Sequence, residues 1–546
     1  MRLIKAATGE EFIMPANFNP KVTRVNAMLT DESEQTAPIT LPGDPLNLRL
    51  IEHAERIDNY YKPVADMDII VSDGMMVRPA NLGIHSASET DGISSTIYLG
   101  TSQFYSLIDE KKLNSLNWPT IKSPDYDNQT LAQRVTYLIG LIKAEYSAPT
   151  ADSAYRIAPL LTDKTVKPKR NGVVTEQPFI LNEYYPGQYN FGATNEVIIN
   201  KFYGEYTQQF MENDVLVDVG IGYGITPFLR IKYILEFIFG EYGFTVDFSE
   251  LNARFIKFES LCIENNIADA IYAGRIKYSQ LVPDITIKDF LTKVSTYFGG
   301  KFIVNENSKV AKFRLFSNVL TASADMDLSD YLSSALKLSS AEFKNLIVKL
   351  PDETEPELAN DYPKENIDFS IHNELAVIAS YTFDIFVHEI EMSLTQTTGV
   401  LHLNSSVQVA GKTQEEDVNS NSSFDIIQIK EDWFETSFLE NYVLKTIFYR
   451  ESRNYLTYEF DGIASTLSEK LKYIYAEYAE FLLNSNIQVN SSMMFPDTLL
   501  ERIDLTIPKI FFGQKLMIEQ LDMVLDSQST KSVDLILRTT KKYNNR

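Results

Sequence analysis

One stretch limits the possible folds of this chain more than any other: residues 215–248, VLVDVGIGYGITPFLRIKYILEFIFGEYGFTVDF. Its opening apolar and β-branched residues suit a pleated, half-buried strand. Gly220, Gly222 and Gly224 then accept backbone conformations that other residues resist, which marks a turn. The apolar run 231–239 predicts a helix buried on most sides rather than one with a wide solvated face. A second strand ends near Asp247. A strand–turn–helix–strand unit of this kind can hold a nucleotide-like cofactor at a helix N-terminus. It can equally serve as buried scaffold in a large assembly, with the glycines used only for turning.

The 546 residues exceed what one core sustains and predict about three to four domains. Phe 32 and Tyr 30 against Trp 2 favour strand-rich structure. A net charge of −24 argues against stable nucleic-acid binding, because phosphate contacts need clustered Lys and Arg. It suits a wall past which DNA slides without sticking. Cys262 is the sole cysteine, so no intrachain disulfide or CxxC metal site exists, and its neighbours in ESLCIE predict a small core residue. The N-terminal MRLIKAATGEEFIMP lacks the apolar core of a signal peptide, and no transmembrane segment is expected. Synthesis and folding in a cytoplasm are the expectation.

The expected organisation runs as follows. Residues 1–45, with prolines at 15, 20, 38, 42 and 45, read as an irregular N-terminal arm. Residues 46–150 read as a β-rich domain with helices. It opens with a short helix in LNLRLIEHAERI and continues with hairpins turning at Asp73-Gly74 and Asp91-Gly92. Helices follow in SQFYSLIDEKKLNSL and LAQRVTYLIGLIKAEY, whose apolar residues recur every three or four positions. Residues 151–214 form a β-rich segment around a basic hairpin tip, Lys164, Lys167, Lys169 and Arg170, closed by Asn171-Gly172. That tip is either a solvated hairpin end or a partner contact.

Residues 215–350 form a helix–hairpin (α+β) domain. Its clearest part is ITIKDFLTKVSTYFGG, where Ile287, Phe290, Leu291, Val294, Tyr297 and Phe298 share one helical face. Thr286 with Asp289 has capping-box spacing, and Gly299-Gly300 stops the helix. KFIV then turns at 305–308 into KVAKFRLF, with Ala311, Phe313 and Leu315 alternating with Lys312 and Arg314. Residues 351–465 read as a β-rich domain that begins in an acidic loop and contains a polar linker over 403–425. Residues 466–546 read as a helix followed by C-terminal β-barrel strands.

For chemistry, the glycine turn resembles motif I of S-adenosylmethionine-dependent methyltransferases through Asp218, Gly220, Gly222 and Gly224. The resemblance implies that these residues form the cofactor site and that Asp247, ending the next strand, holds the ribose. Against it stand Pro227, the all-apolar helix, the lack of strand–helix alternation in the flanking chain and the absence of the family's later Pro-Pro-aromatic loop. His388-Glu389 is followed by Met392 where a second zinc ligand would stand, and the other histidines, His53, His85, His372 and His402, form no ligand spacing. Paired carboxylates for sugar cleavage, or a glycan-binding surface, would usually come with tryptophan platforms, and only Trp118 and Trp433 exist. No catalytic, cofactor-binding or metal-ligating residue is therefore assigned, no cofactor is expected, and the chain reads as a non-enzyme.

FLRIKYILEFIFGEYGFTVDF together with LVPDITIKDFLTKVSTYFGGKFIVNENSKVAKFRLF resembles tail hub (baseplate) proteins of bacteriophages, particularly those of Bacteroidetes hosts and their prophages. The shared pattern is a helix ending in Phe-Gly that leads into a strand, a polar turn and a second strand. IDLTIPKIFFGQKLMIEQLDMVLDSQSTKSVDLILRTTK is similar to the closing barrel of the same proteins, with Val533, Leu535 and Leu537 alternating along the last strand. The resemblance covers about a quarter of the chain and brings no catalytic residues. It implies an α+β, β-rich multidomain fold with tail-tube-like β-barrel or sandwich domains and helix–hairpin insertions. It also implies a structural virion protein, assembled in the bacterial cytoplasm, whose copies form a ring, expected to be a trimer. The implied partners are other copies of itself, the tail tube and further baseplate proteins, with phage DNA passing transiently through the lumen.

Overall fold

The computed structural model describes residues 1–348 and 487–540 with short interruptions, and between them only 367–368, 381–382, 424–428, 458–460, 463–465, 477–478 and 481. The expected domain over 351–465 and most of the expected helix over 466–483 lie outside the described residues. The fold is α+β and β-rich, and the described residues form two hydrophobic cores.

The first core backs a 12-stranded sheet to which both ends of the chain contribute. Its order is Arg2–Lys5, Met67–Asp73, Met76–Ser88, Gly92–Leu99, Gln35–Thr36, Lys21–Val25, Gln514–Val524, Thr530–Thr539, Ile487–Pro496 and Lys337–Ser340. Ile39–Leu41 and Lys509–Phe511 attach off this path. The hairpins expected at Asp73-Gly74 and Asp91-Gly92 are present, and Val533, Leu535 and Leu537 alternate inward as anticipated. The helix expected near 47–57 is shorter, Pro45–Leu50, with the Asp44 side chain accepting from the Leu46 amide.

Residues 1–45 are not an irregular arm, because four strands of the sheet lie within them. Those strands are only two to five residues long. At that length a period of two is barely expressed, and the prolines between them suggested loop. The strand Lys21–Val25 pairs antiparallel with Gln514–Val524, Val22 opposite Met523. Hydrogen bonds fasten the junction: Arg24 Nη1 donates to the Leu500 carbonyl at 3.0 Å, and Asn26 Nδ2 to the carbonyls of Leu505 at 2.6 Å and Ile518 at 2.9 Å.

A buried ion knot closes one edge of this junction. Lys531 Nζ lies 2.7 Å from Asp73, 3.0 Å from Asp526 and 3.8 Å from Asp497, and the Met1 amine is 3.4 Å from Asp73. Burial alone would lower the Lys531 pKa, but hydrogen bonds to Asp73 and Asp526 outweigh it and raise the value. For Asp526 burial acts upward, and the bond from Lys531 brings the net value below the ordinary carboxylate range. The raised lysine contributes stability that is complete below its unfolded pKa of about 10.4 and fades as pH rises through the folded value. The lowered carboxylate contributes stability that is complete above about pH 3.9 and fades as pH falls through its folded value. The stability difference between the native protein and Lys531→Met is therefore expected to shrink as pH rises through the folded lysine value and, in acid, as the buried carboxylates left by the variant take up protons. Denaturant unfolding at a series of pH values measures it, and a difference that grows in acid would contradict the assignment.

The second core is drawn largely from the chain between the sheet's N- and C-terminal strands, with Met28 and Met517 added from either side. Helices Thr101–Ile108, Leu131–Ser147, Ile231–Glu241 and Ile287–Phe298 pack there. The expected helix–hairpin is present, with strands Gly300–Asn305 and Val310–Leu315 in antiparallel register. The Asp289 amide donates to Thr286 Oγ1 at 3.0 Å, and Gly299 ends the helix at φ 66°. Thr245–Asp247 joins Val310–Leu315 in parallel, so the end of the stretch that opens at Val215 is part of the same small sheet. Rings complete the packing, with Phe104 stacked on Phe239 at 4.9 Å and Phe302 set edge-on to Phe313 at 4.8 Å.

Candidate functional site

A cofactor crevice at the glycine turn would need free backbone amides at a helix start and an acid on a neighbouring parallel strand. Val215–Val219 instead forms an antiparallel hairpin with Gln208–Glu212. The turn is followed by the short strand Phe228–Leu229, and only after Arg230 does the helix begin. The amides are already used: Gly222 N donates to Gly204 O and Gly224 N to Ala268 O, both at 2.7 Å, and Gly220 N to the Tyr272 hydroxyl at 3.3 Å.

The space is used as well. Gly222 at φ 94° would place a Cβ 2.7 Å from Val135 Cγ1, and Gly224 at φ 83° would place one 3.0 Å from the Phe179 ring. These glycines let core side chains approach the backbone, where the methyltransferase resemblance requires a ligand. Asp218 is exposed and accepts from Gln209 Nε2 at 2.7 Å. Asp247 sits in a different sheet. There the Ser249 hydrogen bonds, joined by Lys312, hold its carboxyl below the usual range. The four motif residues and Asp247 are thus not brought together as a site.

Two buried asparagines, absent from the sequence reading, lock the end of the turn. Asn182, at φ 53°, donates from Nδ2 to the Thr226 carbonyl and accepts at Oδ1 from the Thr226 amide, both at 2.8 Å. Asn265 accepts from Thr226 Oγ1 at 3.0 Å and donates to the Pro227 carbonyl at 3.0 Å. No periodicity or spacing points to them, since each is a single polar residue serving a distant backbone.

Below the turn, Arg156 Nη1 meets Glu145 Oε1 at 2.6 Å, with both side chains buried. Arg230 donates from Nε to Glu259 O at 2.7 Å and from Nη1 to Ser153 O at 2.8 Å, and burial first, then Arg156, lowers its pKa. Cys262 is fully buried beside these arginines, and burial pushes its thiol up to about 12, as suits a core residue rather than a nucleophile. Trp118 stacks on Phe237 at 4.1 Å and donates to Leu113 O at 2.7 Å, so it serves the core and not a sugar platform. His85 contacts Thr96 and His53 contacts Glu55, while His372, His388, His402 and Trp433 lie outside the described residues. Among the described residues no group of three or more His, Cys, Asp or Glu is arranged to hold a metal ion, and no helix is long and apolar enough to cross a membrane.

The remaining surface feature singled out by sequence is the basic tip. Lys169–Arg170 and Val173–Val174 form a short antiparallel hairpin, Lys169 opposite Val174. Gly172 turns it at φ 79°, with open space around the tip. The foot is anchored: Pro168 bridges to the buried Phe210, and the Met211 amide donates to Lys167 O at 2.8 Å.

These features define a β-rich α+β scaffold in which the conspicuous turn is packed shut and the distinctive surface element is a hairpin. No protein-family model matches the chain, and none of the curated proteins matches it. Among solved structures it is similar to the 43 kDa tail protein of prophage MuSo2 from Shewanella oneidensis, at 9% identity over 98% of this chain and 98% of that one, with a TM-score of 0.33.

Proposed function

We propose that this chain is a structural component of a bacteriophage tail, a hub or baseplate protein whose copies close into a ring around a channel continuous with the tail tube. The observation that supports the reading is that both segments through which the chain resembles tail hub proteins contain the shared helix–hairpin or strand pair, the latter within the 12-stranded sheet rather than a separate barrel. The first forms helix Ile287–Phe298 with its hairpin, and the second forms the closing strands Gln514–Val524 and Thr530–Thr539. The role is architectural, so no catalytic residue or cofactor is required. β-Domains of neighbouring copies line the lumen, and outer parts of the chain dock further baseplate proteins. With a net charge of −24, a lumen built from such copies repels DNA phosphate and lets it pass without adhesion. The protein belongs to the virion tail and is assembled in the host cytoplasm.

Negative-stain microscopy of the purified protein tests this directly. Closed rings with a central hole, trimeric by the present reading, are the expected result. A monomer at every concentration, stabilised against heat by S-adenosylmethionine, would overturn it.

A further inference from the structure

We propose that the basic hairpin spanning 167–176 is the element by which one copy grips the acidic surface of the next; the proposal rests on the ring reading above. The hairpin has features that folding of its own copy does not explain. Its paired strands are two residues long, too short for independent stability, so its form depends on the anchored foot. Beyond that foot, residues 172–176 are all exposed. Val173 is 59% and Val174 37% exposed, so two β-branched apolar residues point away from both cores. Single exposed apolar residues are ordinary, but an adjacent pair on a projecting, cation-bearing hairpin suits an interface.

Charge identifies the occupant. In sequence, residues 163–176 carry Lys164, Lys167, Lys169 and Arg170 against Asp163 and Glu176, so the region is net positive in a chain whose total is −24. Within the copy, Lys167 reaches Glu176 at 3.6 Å, but both side chains are more than half exposed and such a pair contributes little. Two copies of so acidic a chain repel each other over most approaches. A localised basic element offers an approach on which the sign reverses, fixing both orientation and register. Nucleic acid is the less suitable occupant, because the surrounding negative field opposes phosphate.

The test compares the full chain with Lys167→Glu/Lys169→Glu/Arg170→Glu by light scattering and negative-stain microscopy. Circular dichroism melts run alongside. The expected result is loss of rings in favour of a 62.2 kDa monomer with an unchanged melt, since Lys167 is exposed and Lys169 partly so. Val173→Ser/Val174→Ser, which leaves every charge in place, is expected to weaken ring formation in the same direction. It decides the matter if the charge variant fails to fold. Rings that persist in the folded variants would overturn the hairpin contact and leave the ring reading standing. A monomeric native protein would overturn the ring reading and the contact with it. Binding of a fluorescent DNA duplex by the native protein, lost in the charge variant while rings remain, would assign the hairpin to nucleic acid and overturn the proposal.

Discussion

Replacing Lys531 with methionine is expected to destabilise the protein by about 3–5 kcal/mol, the range for removing one partner of a buried ion cluster. The side chain is 2% exposed and Asp73 is fully buried, so neither can recruit water once the other is removed. Asp497 makes the situation worse. Its two carboxylate oxygens are buried and accept no hydrogen bond from any described residue, and the Lys531 ammonium lies 3.8 Å away. Methionine fills similar volume without charge, leaving Asp73 only the more distant Met1 amine and taking from Asp497 its nearby ammonium. Denaturant unfolding measures the loss. The double variant with Asp73→Asn should recover part of it, because the two residues are in contact and their effects do not add. A loss below about 1 kcal/mol would mean that water reaches the knot and the burial argument fails.

Gly222→Ala is expected to cost about 2–5 kcal/mol, combining left-handed backbone strain on a side-chain-bearing residue with overpacking against the core. The new methyl would sit 2.7 Å from Val135 Cγ1, on a helix that is itself packed into the second core. Val135 is β-branched and cannot swing aside as the end of a longer side chain could. Trimming it in Gly222→Ala/Val135→Ala should yield a favourable coupling energy, although Val135→Ala alone destabilises. The same variant separates scaffold from cofactor site. In a cofactor site, Gly222→Ala would abolish stabilisation by S-adenosylmethionine while sparing the unliganded protein. Here the unliganded protein itself is expected to lose stability, and native protein and variant alike should show no ligand-induced shift.

What could be read from residues alone was what is encoded locally. Helix Ile287–Phe298 carries its apolar face, its Thr286 cap and its Gly299 stop within one short window. The hairpin of Met67–Asp73 with Met76–Ser88 follows from strand residues flanking Asp-Gly. The turn follows from its glycines, but the helix after it buries one face, Ile231, Ile234, Leu235, Ile238 and Phe239, and exposes Glu236 and Gly240, so it is less enclosed than its apolar run predicts. What fills the turn, namely Val135, Phe179 and the carbonyls of Gly204 and Ala268, comes from elsewhere in the chain. The same limit hid the large sheet. Asn26 finds its acceptor at Ile518, 492 positions away, and no window of sequence contains both. Asn182, Asn265 and the knot at Lys531 are isolated polar residues, and burial gives them roles that periodicity cannot register.

The meeting of both chain ends in one sheet also sets an order of events during synthesis. Lys21–Val25 leaves the ribosome long before its partner Gln514–Val524, which is made about 490 residues later. The second core, drawn largely from the chain in between, has all those helices in hand well before the sheet can close. Completion of the sheet thus waits on a strand far along the chain. A chain cut short before Leu500 leaves the edge of Lys21–Val25 open and removes the Leu500, Leu505 and Ile518 carbonyls to which Arg24 and Asn26 donate.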